Sequence, residues 1–233
     1  MPARTSRPDT EPLFDQWCTY QKVVAGDYMH HRALFAALAS QVGHDSPLRI
    51  LDLGCGDAAP ISGLLERLPV DHYQGIDQSD SALELASARL TQLGIEHRLL
   101  AGDMLETLAW VSGPIDLVVA SFSLHHLQPG HKQAVLTHCR RLLGPGGQLA
   151  LIDIFRNAGE SRDDYLHRWE SNARQAYVAL SPGEMDEVIS HVWSADFPES
   201  ISSYRDMADS AGFTRLDPIH CDQESLNRLV ILS

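Results

Sequence analysis

The chain has only four cysteines, Cys18, Cys55, Cys139 and Cys221, and no two of them form a CxxC pair. That spacing argues against a structural zinc site and against a disulfide framework, and it fits a reduced, cytoplasmic compartment. No apolar stretch approaches the length of a membrane-spanning helix. Residues 1–12 are polar and contain proline, with no apolar core of a secretion signal, so a disordered tail over 1–13 is expected. Basic residues are scarce and scattered, 18 against 31 acidic ones, for a formal net charge of −13. Such a surface repels a phosphate backbone, which disfavours RNA and DNA as partners. Internal repeats and low-complexity tracts are also missing.

What the chain does have is enough apolar residue for one large core: 233 residues, 44% hydrophobic and 21% charged, fit one domain. Short apolar runs alternate with helix-period segments, the pattern of a mostly parallel sheet covered on both faces. Strands are expected at 49–53, 72–76, 97–101, 117–120 and 148–152. Ser81 and Glu84 read as the capping box of a crossover helix with Leu83, Ala86, Leu90 and Leu93 on one face, closed by Gly94. A second such helix spans 131–143, with Val135, Leu136, Cys139, Leu142 and Leu143 inward, and Gly144-Pro145 stops it.

The first strand runs into Leu53-Gly54-Cys55-Gly56-Asp57, where two glycines let the backbone turn tightly and approach a ligand. A helix begun near Pro60 would aim unpaired N–H groups at the same place. Asp52 and Asp57 bracket the turn; two carboxylates suit a cationic or hydroxyl-rich ligand and repel a pyrophosphate. The segment 54–59 also matches the dinucleotide fingerprint GxGxxG/A, with Asp77 at the ribose-binding distance. An NAD(P)-dependent oxidoreductase is therefore an alternative reading. It leaves Asp52, Asp103 and the Gly144-Pro145-Gly146-Gly147 turn unexplained.

The segment around Asp52-Leu53-Gly54-Cys55-Gly56, then Gly75-Ile76-Asp77, Gly102-Asp103-Met104, Ala120-Ser121 with Leu124-His125-His126-Leu127, and Leu143-Gly144-Pro145-Gly146-Gly147 resembles, in order and spacing, the motifs of the class I S-adenosylmethionine (SAM) dependent methyltransferases. The resemblance implies a Rossmann-like, doubly wound α/β fold: a seven-stranded, mostly parallel sheet, antiparallel at its C-terminal end, with strands at 214–219 and 226–232, the last inserted between strands five and six. It implies SAM as cofactor and S-adenosylhomocysteine as product. The cofactor-binding candidates are Asp52, Gly54, Gly56, Asp77, Gln78, Asp103, Met104 and Ser121, with Asp77 on the ribose hydroxyls and Asp103 on the adenine amino group. The expected function is methyl transfer to a small molecule, with nitrogen or oxygen favoured over sulfur or carbon. A SAM-binding protein without methyl transfer, or with other SAM chemistry, is the second alternative, since function lives in the site rather than the fold.

His125 and His126 follow strand four at the sheet edge where open α/β folds bind ligands, so they are the candidate catalytic bases. Two segments lie outside the core at 14–38 and 156–199. The second reads as two amphipathic helices, one marked by Leu166, Trp169, Ala173, Tyr177 and Leu180, the other by Met185, Val188, Ile189 and Val192. In the resembling family such segments cover the cofactor and form a lid. The expected organisation is thus a core with an N-terminal cover over 14–155, a lid over 156–199, and residues 200–233 completing the core. Tyr20, Tyr28 and Trp169 are the substrate-binding candidates. Asp116, at the start of strand four, is expected on the opposite sheet edge in a structural role; Asp153 either faces the cleft or bonds the lid. No metal is expected, because strands four and five end in too few carboxylates. No membrane partner is expected, and the oligomeric state stays open, with an apolar lid face suited to a homodimer.

Overall fold

Within each central strand, successive side chains feed two different cores. In β1 (Leu48–Leu53), Ile50 packs with one layer while Leu51 and Leu53 pack with the other. The same alternation runs through β4 (Ile115–Ser121), β5 (Leu143–Arg156) and β8 (Asn227–Leu232), because side chains along a strand point to opposite faces. Strands buried on both faces must be apolar throughout, which explains the unbroken hydrophobic runs. The computed structural model describes residues 19–43 and 46–233. Cys18, Trp17, Phe14 and the expected disordered tail lie outside the described residues.

The remaining elements are α1 (His31–Ala39), α2 (Ser62–Leu65), β2 (Val70–Asp77), α3 (Asp80–Gln92), β3 (His97–Ala101), α4 (Met104–Leu108), α5 (Pro129–Leu142), α6 (Arg162–Ala176), α7 (Pro182–Ala195), β6 (Glu199–Ser200), α8 (Ile201–Ala211) and β7 (Leu216–Cys221). Residues 19–25 are also helical. The strand order is β3-β2-β1-β4-β5-β8-β7, with β8 antiparallel to both neighbours and β6 paired with β5. Leu34 and Leu38 of α1 and Ala86 and Leu90 of α3 cover one face; Val135 and Leu136 of α5 and Tyr204 of α8 cover the other. This is the expected doubly wound sheet, with one two-residue strand added.

Several local expectations need correction. Ser79, not Ser81, caps α3, its hydroxyl accepting from Ala82 N–H. An extended residue immediately before the helix can present its oxygen to the third residue of the first turn, and Ser81 is already helical. The helix after the glycine turn is a single four-residue turn, and Pro60 lies ahead of it rather than within it. Helix α5 ends at Leu142 without needing Gly144-Pro145. Strand β5 begins at Leu143 and carries the Gly-Pro-Gly-Gly segment inside it as an irregularity of register against β4.

The segment 156–199 holds two helices, as its periodicity indicates. Each starts with a full capping box, Ser161 with Asp164 and Ser181 with Glu184, and Pro182 opens the second. Trp169, Ala173, Tyr177, Met185, Ile189 and Val192 form a third apolar cluster with Val23 and Ile154. Two cations tie this pair of helices down. Arg162 donates to the carbonyls of Trp193 (2.5 Å) and Asp196 (2.7 Å) at the end of α7. Lys132, fully buried in α5, donates to the Phe197 carbonyl and lies 3.5 Å from Glu199. Nothing in the helical pattern of α5 marks Lys132 as buried; its partners come from a segment 65 residues away.

Candidate active site

Strand order reverses between β1 and β4, and at such a switch point the loops on either side diverge and leave a crevice at the carboxyl ends of the strands. A cavity of about 930 Å³ fills it. Its walls are the ends of four successive strands: Gly54 and Gly56 after β1, Asp77 and Gln78 at β2, Asp103 and Met104 after β3, and Phe122, Ser123 and His126 after β4. Helix α7 and the residues just after it supply His191, Ala195 and Phe197, and Tyr20 comes from the helical residues 19–25.

Gly54 and Gly56 sit at φ +71° and +52°, in the left-handed region that disfavours side chains. A Cβ on Gly54 would stand 2.5 Å from the Cβ of Ser123. Gly54→Ala therefore combines backbone strain of about 1–3 kcal/mol with a collision between the β1 and β4 loops. A lower melting temperature and weakened SAM binding are expected; calorimetry showing both at wild-type values would remove the requirement for glycine there.

The Asp77 carboxylate holds this turn in place. Gly56 N–H donates to Oδ2 (2.8 Å) and Ser79 N–H to Oδ1 (2.9 Å), so each oxygen keeps a further lone pair directed away from the backbone. Asp103 caps α4, Oδ1 accepting from Leu105 and Glu106 N–H. Its Oδ2 accepts from no described residue, so capping and ligand binding are compatible.

Asp52 is placed differently. It is buried behind the turn, off the cavity wall, and accepts from Tyr73 O–H (2.6 Å). Burial pushes its pKa up to about 7, against the Tyr73 hydrogen bond and with help from the charge of Asp77. Asp57 pairs with Arg89 (3.1 Å) and is structural. Ser121 also lies off the wall; Phe122 and Ser123, which follow it, line the cavity instead. Phe122 adopts φ +49°, and this left-handed step turns the loop into the crevice. Burial, with Asp57, Asp77 and Asp52 nearby, lifts the Tyr20 phenol to about 12, so it stays protonated.

The two adjacent histidines separate cleanly. His125 is 6% exposed and absent from the wall; its ring Nδ1 lies 2.5 Å from Asp153 Oδ1 and its backbone N–H donates to Asp153 Oδ2. Asp196 stands 3.7 Å from Nε2 on the other side. Burial alone would lower the His125 pKa, but the charges of Asp153 and Asp196 outweigh it and hold the pKa above the ordinary value. A pKa raised on folding gives stability that is complete below the unfolded value of about 6.5 and is lost as pH rises through the folded value. Melting curves of wild type should thus fall, relative to His125→Gln, as pH rises above about 6.5; parallel curves would show that His125 is not charged in the fold.

His126, half-exposed, does line the cavity. Its Nδ1 is 3.2 Å from Asp196 Oδ1 and 3.5 Å from the Ala195 carbonyl, and its ring meets that of His191 at 5.6 Å. His125, His126 and Asp196 each offer one ligand atom within 4.8 Å of the others, a donor set of the transition-metal kind. Tyr28 and Trp169 do not reach the cavity. Tyr28 stacks on Tyr177 (4.5 Å) and accepts Ala179 N–H (2.9 Å), which ties the N-terminal segment to the stretch between α6 and α7, while Trp169 meets Tyr177 edge-on within the 156–199 segment. Asp116 pairs with Arg49 at the far sheet edge, as expected.

Relatives are consistent with this geometry. The sequence profile of a methyltransferase domain matches residues 50–147, the stretch that carries the first four strand ends and the β5 turn. An uncharacterized methyltransferase of Geobacillus kaustophilus is 29% identical over 199 residues, 80% of this chain and 90% of that protein. Residues 50–147 form a methyltransferase domain of the SAM-dependent kind. The trans-aconitate 2-methyltransferase of Acidovorax sp. is 35% identical over 114 residues, 49% of this methyltransferase and 41% of that enzyme. A putative O-methyltransferase of Nostoc punctiforme shares the fold at TM-score 0.64 and 18% identity, covering 92% of this methyltransferase and 59% of that chain.

SAM is the cofactor of the family, and the residues present fit it. Two carboxylates with unused lone pairs, Asp77 and Asp103, face one cavity, and neither lysine nor arginine lines it among the described residues. The methyltransferase match over residues 50–147 favours SAM over the dinucleotide of the oxidoreductase alternative.

Proposed function

We propose that this methyltransferase moves a methyl group from SAM to the oxygen or nitrogen of an uncharged small molecule, with His126 as the general base. The observation that carries the reading is a single cavity with two chemically distinct ends. At one end Asp77 takes the ribose hydroxyls and Asp103 the adenine amino group, with Gln78, Met104 and the Gly54–Gly56 turn completing the seat. At the other end Phe122, Leu127 and Phe197 surround two imidazoles, His126 and His191. About 930 Å³ is room for a nucleoside cofactor and a small acceptor together.

SAM supplies an electrophilic methyl carbon: as the acceptor atom bonds to it, the S–CH₃ electron pair stays on sulfur and S-adenosylhomocysteine is released. The protein's part is alignment, exclusion of water and removal of one proton, and alignment alone can supply about 7–11 kcal/mol of such a barrier. The neighbouring oxygens favour the proton on Nδ1 of His126, which leaves Nε2 to take the acceptor's proton. The lid helices keep water from the methyl group.

The acceptor's charge is constrained too. Trans-aconitate, named for one relative, is a polyanion; the described cavity residues here include carboxylates and no lysine or arginine to receive it. Calorimetry with SAM, S-adenosylhomocysteine and NADH tests the cofactor end: the first two should bind at one site per chain and NADH should not. Binding of NADH alone would overturn the reading.

A further inference from the structure

The proposed base lies in the core, but the carboxylate nearest to it belongs to the lid. Asp196 ends α7 and is 5% exposed, and its Oδ1 lacks an aligned hydrogen-bond partner among the described residues. An unsatisfied buried carboxylate oxygen is costly, and it is retained here 3.2 Å from His126 Nδ1. Burial alone would raise the Asp196 pKa, yet the imidazoles of His125, His126 and His191 draw it below the usual carboxylate value.

The position of Asp196 is fixed from several sides. Arg162 donates to its backbone carbonyl and lies over the Phe197 ring at 5.0 Å. Phe197 N–H donates to the His125 carbonyl (2.7 Å), so the chain just past Asp196 is bonded to the loop that carries the histidine pair. His125, itself locked by Asp153, closes the other side of the carboxylate at 3.7 Å.

We infer that Asp196 is a positioning residue: it holds His126 in the tautomer protonated at Nδ1, and because it rides on the lid, the base is assembled only while α7 is seated on the core. This rests on the reading of His126 as the base. The physical step is simple. A histidine not held by a partner favours the proton on Nε2, which would leave the wrong nitrogen basic; a carboxylate at Nδ1 reverses that preference. The Ala195 carbonyl makes the better aligned contact to the same nitrogen, but it is long, at 3.5 Å, and carries no formal charge, whereas the Asp196 carboxylate acts on Nδ1 by its charge at 3.2 Å. His191, on the same helix, meets the His126 ring edge-on and limits its rotation. The lid would then couple acceptor enclosure to base formation, so that an open site holds no correctly protonated base.

The test needs no acceptor. Long-range proton–nitrogen correlation spectra of the full chain, labelled on histidine ring nitrogens, treated with chelator and saturated with S-adenosylhomocysteine, report which nitrogen of His126 carries the proton. Wild type should show Nδ1–H. Asp196→Ala should convert His126 to Nε2–H, and Asp196→Asn, whose amide oxygen still accepts, should retain Nδ1–H. Nε2–H in wild type, or an unchanged tautomer in Asp196→Ala, overturns the inference. If Asp196→Ala does not fold, the wild-type tautomer still decides. Failure of His126 as base is a separate result, read from turnover of His126→Gln.

Discussion

His126→Gln is expected to lower turnover about 10²- to 10⁴-fold while leaving SAM affinity close to native. The expectation follows from its position: His126 follows β4 on the cavity wall beside α7, while Asp77 and Asp103 stand at the ends of β2 and β3, and glutamine fills a similar volume without a basic nitrogen. The neighbouring residue supplies the control. His125 is locked between Asp153 and Asp196 and has no face on the cavity, so His125→Gln should act mainly through stability. Turnover losses without a change in melting temperature for His125→Gln, combined with near-normal turnover for His126→Gln, would reverse the two roles.

Asp77→Ala is expected to weaken SAM binding at least tenfold. Charge-assisted hydrogen bonds are worth about 1.5–3 kcal/mol, and 1.4 kcal/mol is a factor of ten in affinity. The same substitution frees Gly56 N–H and Ser79 N–H, which Asp77 holds at 2.8 and 2.9 Å, so it should also lower the melting temperature by loosening the glycine turn. Asp77→Asn keeps one acceptor oxygen and should fall between. Titration calorimetry on the three proteins gives the order; an unchanged affinity in Asp77→Ala would remove Asp77 from the cofactor site.

The parts of the site readable from sequence are those fixed by local geometry. Gly54 and Gly56 announce themselves because only glycine sits easily at positive φ between an apolar strand and a carboxylate. Asp77, Gln78, Asp103 and Met104 stand at strand ends, and once the strands are placed their positions at the sheet edge follow. Burial in the sheet was legible for the same reason, since a strand covered on both faces has to be apolar.

The acceptor end was harder, because it is made by segments that meet only in the folded chain. His191 sits on the edge of the apolar stripe of α7, and nothing local distinguishes it from a solvent-facing residue. Asp196 and Phe197 become part of the site through Arg162 and through the bond from Phe197 N–H to the His125 carbonyl. Tyr28 and Trp169 carry the chemistry of ligand-binding residues, yet they are spent on Tyr177 and Ala179 of the 156–199 segment. Ser121 missed the wall by one step, because the left-handed Phe122 turns the chain between them. The adjacent histidines look equivalent in sequence; Asp153 takes one inward and leaves the other on the wall.

The most direct test of methyl transfer at this site follows the methyl group itself. The protein is incubated with SAM labelled in its methyl group and a pool of uncharged cellular metabolites, and small-molecule products are read by mass spectrometry. A labelled product should form with wild type, fall sharply with His126→Gln, and fall with Asp77→Ala until SAM is raised. Tight SAM binding with no labelled small molecule, or a labelled product whose yield ignores both substitutions, would contradict the account.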